Sequence, residues 1–143
     1  MCGEVMEKTL ILIKPDGVAR SLTGKIMHRF EERGLKVVAL KLLKVSQEQA
    51  AIHYCEHKDK PFFEKLLSFI TSGPLVALVI KGENAVKVSR AMIGPTNPAD
   101  AQPGTIRGDF ATALQYNIIH GSDSISSADR EIANFFSPDE IFD

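Results

Sequence analysis

The chain has 143 residues and a mass of 15.7 kDa, which at roughly 100–200 residues per domain makes residues 1–143 a single domain. Hydrophobic residues make up 44% and charged residues 24%, enough for one core, which excludes disorder and collagen-like repeats. The net charge of −1 excludes bulk attraction to nucleic acid or to an anionic membrane, so any anion must be held in a local pocket.

Residues 1–7 read as a flexible N-terminal extension, with Met6-Glu7-Lys8 as an alternative start. They carry Glu4 and Glu7 where a signal peptide needs positive charge. Leu10-Ile11-Leu12-Ile13 is a short apolar run stopped by Lys14-Pro15-Asp16-Gly17, a buried strand entering a tight turn. Leu22, Ile26, Met27 and Phe30 recur near helical spacing, with Gly34 placed to end that helix. Val37 to Val45 reads as a second strand, returning beside the first through a helical crossover. Ser46 and Gln49 form a capping-box pattern for a helix running to about His57. Pro61 suits the first position of another helix, which buries some of Phe62, Phe63, Leu66, Leu67 and Ile70. Leu75 to Ile80 is a central strand, and Ala85 to Met92 a helix ending at Gly94.

Residues 94–109 hold Pro95, Pro98, Pro103, Gly94, Gly104 and Gly108, and cannot stay regular for long. A loop of that length in a small domain is commonly functional. Phe110 to Gln115 is weakly helical and Tyr116 to His120 a short strand candidate. Ser126 or Ser127 can cap a last helix that buries Ile132, Phe135 and Phe136. The order predicts an α+β sandwich, a four-stranded sheet with helices on one face. The apolar run from Pro74 to Ile80 is far short of the ~20 residues that cross a bilayer, and Cys2 and Cys55 cannot make a disulfide framework. The expectation is a reduced, cytoplasmic protein.

The most unusual cluster is Asn117-Ile118-Ile119-His120-Gly121-Ser122-Asp123-Ser124. It sets an imidazole at the end of an apolar stretch, beside flexible backbone. A neutral imidazole serves as base, metal ligand or nucleophile, while a solvated turn histidine is the plainer alternative. Ser122 and Asp123 do not make a hydrolase triad with His120, because triads assemble from separate segments and no G-x-S-x-G elbow is present. Lys14, Arg90 and Arg107 lie beside turns or the irregular loop. Each alone reads as a surface charge, but together with Thr96 they outline an anion pocket. Neither a P-loop nor a G-x-G-x-x-G fingerprint occurs. His53 and His57 share a helix face without a third ligand in sight, and read as polar surface rather than as a metal site. Tyr54 points elsewhere on that helix and can reach a pocket. Of Phe62 and Phe63, adjacent helix positions about 100° apart, both in the core is the simplest reading. An exposed Phe62 would instead stack on a nucleobase.

These residues together closely resemble the nucleoside diphosphate kinase family over about residues 8–136. The resemblance rests on Ile13-Lys14-Pro15-Asp16-Gly17, Lys60-Pro61-Phe62-Phe63, Thr71-Ser72-Gly73-Pro74 and Thr96-Asn97-Pro98-Ala99-Asp100. It extends through Pro103-Gly104-Thr105-Ile106-Arg107-Gly108-Asp109-Phe110 and the His120 motif, in the family's order and spacing. It implies a ferredoxin-like fold with a four-stranded antiparallel sheet and a helical hairpin inserted between the second and third strands. It also implies ping-pong transfer of the γ-phosphate of a nucleoside triphosphate, mainly ATP with Mg²⁺, to a nucleoside diphosphate through a phosphohistidine on Nδ1 of His120. By the same resemblance, Arg90, Thr96 and Arg107 hold the β- and γ-phosphates with Mg²⁺, which the nucleotide carries. Lys14 contacts the γ-phosphate and the 3′-hydroxyl, Asn117 the sugar, and Tyr54 lies near the transferring group. Glu131 orients His120, with Ser122 alongside. Phe62 stacks on the base opposite Leu114, where Val is common in relatives. Pro95 also differs from residues frequent at that position, with no expected loss of activity. Family members are hexamers or tetramers, so a homo-oligomer is expected. No membrane and no specific nucleic acid are expected as partners.

Overall fold

The computed structural model describes residues 6–143. The elements are β1 (Met6–Ile13), α1 (Pro15–Ala19), α2 (Thr23–Glu32), β2 (Lys36–Leu43), α3 (Gln47–His53), α4 (Phe63–Ile70), β3 (Leu75–Glu83), α5 (Ala85–Ile93), α6 (Ile106–Phe110), β4 (Ile119–Gly121) and α7 (Ile125–Phe135). Short 3-10 turns at Cys55–His57, Pro98–Asp100, Leu114–Tyr116 and Pro138–Glu140 join them. The four strands form one antiparallel sheet in the order β2-β3-β1-β4. This is the expected α+β, ferredoxin-like architecture, with α3 and α4 as the hairpin between β2 and β3.

Several local expectations change. The second strand does not return beside the first. β3 lies between them, antiparallel to both, because its fully buried residues Leu75 to Ile80 claim the centre of the sheet. Met6 and Glu7 are not part of an extension: they pair with Glu83 and Gly82, and the Glu7 carboxylate accepts a hydrogen bond from Val86 N. Residues 1–5 lie outside the described residues. The turn after β1 is a helix, α1, because Pro15 fixes a helical φ at its first position. Ser46 caps α3 as expected, its hydroxyl accepting from Gln49 N, but α3 ends at His53 and the 3-10 turn carries the chain onward. Pro61 precedes α4, which begins at Phe63. Regular helix covers Ile106–Phe110, ahead of the stretch that reads as weakly helical, because the Thr105 hydroxyl caps Gly108 N. The cap of α7 is Ser124, not Ser126 or Ser127, with its hydroxyl accepting from Ser127 N at 3.1 Å.

The helices cover both faces of the sheet. α2 and α5, the crossover helices, share one face, where Ile26, Phe30 and Ile93 meet Ile11, Ile13, Leu78 and Ile80. α3, α4 and α7 occupy the other, where Ala50, Leu67, Ile70, Ile132 and Phe135 meet Leu10, Leu12, Ala77 and Val79. The reason lies in β1 itself. Successive side chains of a strand point to opposite faces, so four apolar residues in a row leave both faces in need of cover. No described helix is long and apolar enough to cross a membrane.

Candidate active site

β4 is only three residues long and pairs with the C-terminal half of β1, setting His120 opposite Leu12. The chain enters it through a strained turn. Ile118 has φ +58°, uncommon for a β-branched residue, while Ile119 N donates to Asn117 O across it at 2.7 Å. The segment after β1 holds that turn. Lys14 N donates to Ile118 O at 2.8 Å, and Ile118 N donates to the Asp16 carboxylate at 3.1 Å. A Cβ on Gly17 would lie 3.1 Å from Ile118 O, so a larger residue would have to push that carbonyl back by a few tenths of an ångström.

His120 is half-buried, and its Nε2 lies 2.8 Å from Glu131 Oε1. The Ser122 hydroxyl donates to the same oxygen at 2.7 Å. Burial alone would raise the Glu131 pKa, but the hydrogen bond and charge of His120, with Ser122, hold it below the usual carboxylate value. A carboxylate at Nε2 favours the proton there, which leaves Nδ1 with its lone pair. Tyr54 is buried close by. Burial and then the Glu131 charge push its phenol up to about 12, so it stays protonated and can donate.

The cations come from the other side. Lys14 Nζ donates to Asn117 Oδ1 at 2.9 Å, and Asn117 Nδ2 donates to Thr96 O at 3.1 Å. Burial, followed by the Arg107 charge, lowers the Lys14 pKa to about 8, with Asp16 opposing. Arg107 is 4% exposed and spends three donors on backbone: Nε on Asn117 O at 3.3 Å, Nη1 on Gly94 O at 3.1 Å, and Nη2 on Ile119 O at 2.6 Å. A guanidinium has five N–H groups, so two remain for a ligand. Burial and the Arg90 charge lower its pKa to about 10, and it stays charged at neutral pH. Arg90 Nη1 donates to Gly121 O at 3.2 Å. These three are not simple surface charges, since each is tied to the β4 segment.

The irregular loop is held from outside. Arg29 of α2 donates to Gly104 O at 3.1 Å, pairs with Asp109 and lies over the Phe110 ring at 4.9 Å. Gly104 N donates to the Asp109 carboxylate at 2.9 Å, so loop and α6 close on each other. A Cβ on Gly108 would come within 1.9 Å of Gln102 O, which demands glycine. Arg29 has no signal in the sequence, being one basic residue on an amphipathic helix.

Phe62 and Phe63 divide. Phe63 packs on the core, while Phe62 is 44% exposed with its ring 5.6 Å from that of His57. Leu114 is exposed on its 3-10 turn. His53 corrects the polar-surface reading. It is buried, its ring 4.6 Å from that of His120 at 80°, and burial holds its pKa well below the usual histidine value.

The sheet and this pocket, basic side chains around one imidazole, define a phosphoryl-transfer protein of ferredoxin-like fold. The family model "Nucleoside diphosphate kinase" matches residues 7–141. The enzyme of that name from Archaeoglobus fulgidus is 55% identical over 136 residues, covering 95% of this chain and 90% of the relative. That from Thermus thermophilus is 56% identical over 136 residues, covering 95% and 99%. The structure of the Halobacterium salinarum enzyme, solved in complex with CDP, superposes with a TM-score of 0.95 at 49% identity, covering 97% of this chain and 93% of that one. The chain belongs to the nucleoside diphosphate kinase family and is a phosphotransferase acting on nucleotides.

Proposed function

We propose that His120 is the nucleophile of a ping-pong reaction that moves the γ-phosphoryl group of a nucleoside triphosphate, chiefly ATP, to a nucleoside diphosphate. The observation that carries this is the Nε2–Glu131 contact at 2.8 Å, which favours the tautomer with its proton on Nε2 and its lone pair on Nδ1. The Nδ1 lone pair attacks the γ-phosphorus, the bond from phosphorus to the β–γ bridging oxygen breaks, and the diphosphate leaves with that oxygen. The Nε2 proton stays on the ring, where Glu131 offsets the charge gained by the imidazole. A terminal oxygen of the second diphosphate then attacks the phosphohistidine and restores Nδ1. Phosphoryl transfer needs chiefly positioning and charge stabilisation. Arg90, Thr96 and the two spare N–H groups of Arg107 would take the β- and γ-oxygens. Lys14 would bridge the γ-phosphate and the 3′-hydroxyl, and Asn117 the sugar. Tyr54 donates near the transferring oxygen, and Ser122 steadies Glu131.

The substrate is the Mg²⁺ complex of the nucleotide. Around His120, apart from Glu131, which is engaged with His120 and Ser122, the side chains are cations, amides and hydroxyls that suit phosphate oxygens, and Asp16 is engaged with Ile118 N. Mg²⁺ would therefore arrive on the phosphates, and the Halobacterium relative, solved with CDP, supports the nucleotide as the ligand. An exposed Phe62, with Leu114 opposite, would hold any base by its flat face, which supports broad base tolerance. We further propose a cytoplasmic homo-oligomer, hexamer or tetramer. Leu40 and Leu42 on β2, an edge strand, are 52% and 65% exposed and supply apolar surface for a contact. Light scattering after gel filtration distinguishes the two sizes from a monomer.

Incubation with γ-labelled ATP tests the mechanism. The expected product is an acid-labile, base-stable label on His120, discharged by GDP or CDP. A label on serine, or none on folded protein, defeats it. A scaffold of this fold without catalysis would show no label.

A further inference from the structure

Phosphoryl transfer leaves the buried His53 without a task. Among the described residues, its Nδ1 is shut from solvent and has no hydrogen-bond partner. An orphaned buried polar atom is destabilising, so packing alone would favour an apolar side chain there. The ring is held in place at the end of α3, with Tyr54 at 4.7 Å and Phe135 of α7 at 5.5 Å, and it stands edge-on to His120. Glu131 completes the group: one donor atom each from His53, His120 and Glu131 lie within 4.8 Å of one another. His57, the partner that helical spacing offered to His53, is replaced by two residues from β4 and α7.

We propose that His53, His120 and Glu131 form a binding site for a divalent ion of the zinc class, and that this ion switches phosphoryl transfer off. The donor set decides the class. Two imidazole nitrogens and a carboxylate oxygen suit Zn²⁺ or Co²⁺, whereas Mg²⁺ prefers oxygen alone. The inhibitory ion is thus different from the one the nucleotide carries. Donors at 2.0–2.1 Å from a tetrahedral ion stand roughly 3.3 Å apart, so side-chain rotations of about an ångström close the site. The His120 nitrogen next to Glu131 is Nε2. The ion takes the place of the proton between Nε2 and Oε1, and that proton is released to solvent. Binding therefore tightens as pH rises. The Ser122 hydroxyl on Oε1 and Arg130 Nη2, 3.7 Å from Oε2, hold the carboxylate in the outer shell. With the ion on Nε2, electron density is drawn from the ring and the Glu131 hydrogen bond is lost, so Nδ1 is a poorer nucleophile. The inhibition rests on His120 being the nucleophile; the binding does not.

The test uses the full chain in excess Mg²⁺. Titration with Co²⁺, followed by its d–d absorption, and with Zn²⁺ by calorimetry, reads binding directly. The expected result is one ion per chain, with turnover falling in parallel and recovering on chelation. His53→Phe keeps a ring against His120 and removes the nitrogen. It should bind at least tenfold more weakly and turn over regardless of Zn²⁺. His53→Gln serves if the phenylalanine variant misfolds, with the same expected loss, while His57→Ala should bind as the parent does. Tight binding that survives at His53→Phe or His53→Gln, or that disappears with His57→Ala, overturns the site. An ion bound through His53 that leaves wild-type turnover untouched overturns the inhibition, while the acid-labile label on His120 reads its nucleophilic role separately.

Discussion

The two layers that flank the sheet contribute different chemistry to one site. The layer of α3, α4 and α7 supplies Glu131, which orients the imidazole, with Tyr54 and His53 packed nearby. The layer of α2, α5 and α6 supplies the cations: Arg90, Arg107 and, through the loop, the brace at Arg29. They meet at β4, where His120 stands between them. The orienting layer is built into helices whose apolar faces are already buried, so Glu131 is fixed by the packing of Ile132 and Phe135 beside it. The cationic layer depends on a loop that lacks a core of its own and is held by carbonyls and one arginine clasp. An orienting group needs to hold one angle. A phosphate grip has to admit and release a charged ligand, and local stability is low where function needs movement.

Substitutions can break that division, and the expected effects run from large to small. His120→Ala lowers turnover by on the order of 10³-fold or more while nucleotide binding, read by calorimetry, persists. Loss of binding too would show His120 to be a structural residue. Arg107→Ala is expected to damage both function and fold, because three backbone carbonyls lose their donor. A loss of about 3 kcal/mol or more in denaturant unfolding accompanies the loss of turnover. Arg107→Lys should not restore it, since an ammonium cannot reach three carbonyls as a planar fork does. An intact fold with only turnover lost would return Arg107 to the role of a simple phosphate ligand.

Glu131→Gln separates orientation from charge. It should cost about 10²-fold in kcat with little change in KM. It should also remove an acid limb of stability. The Glu131 pKa is lowered in the folded chain, so its contribution is present above the unfolded value and is lost as pH falls through the folded one. Lys14 gives the same slope at higher pH, from a penalty relieved rather than a gain lost. Its folded pKa of about 8 lies below the ordinary lysine value of 10.5, so the unfolded chain binds more protons between the two. Folding stability from this group therefore rises with pH across that window, while turnover falls as Lys14 loses its charge near pH 8. The difference between parent and Lys14→Met, measured by unfolding and by initial rates over the same pH range, reads both. The smallest effect is expected at the clasp: Arg29→Ala should slow turnover roughly two- to fivefold, since the contact is exposed. Proteolysis of residues 94–110 should quicken in the same variant.

Legibility followed the range of the interaction. The apolar run Leu10-Ile11-Leu12-Ile13, the cap at Ser46 and the proline-rich loop are local signals, and they placed strand, helix and loop correctly. The same run also carries the sign that both faces of the sheet are covered, which overrides the one-faced sandwich that the order of elements suggests. Strand order was not legible, because pairing depends on which strand is most fully buried, and β3 takes the centre over distances no local pattern records. Motif residues such as His120, Lys14 and Arg107 stood out by their type beside turns and by family resemblance. Two further features were invisible: Arg29 looks like any basic residue on a helix, and His53 looked like half of a surface pair.

The sequence by itself determined the secondary elements, the family, and the set of side chains capable of the chemistry, since these follow from residue type, spacing and local backbone preference. Only the tertiary structure decided that Arg107 spends most of its donors on backbone, that Lys14 is held near pH 8 by burial, and that His53 faces His120 rather than solvent. Those are outcomes of burial and of contact between distant segments. A chain that could not bind anions by its net charge of −1 does so by gathering a few cations around one imidazole, and that gathering exists only once both layers have packed on the sheet.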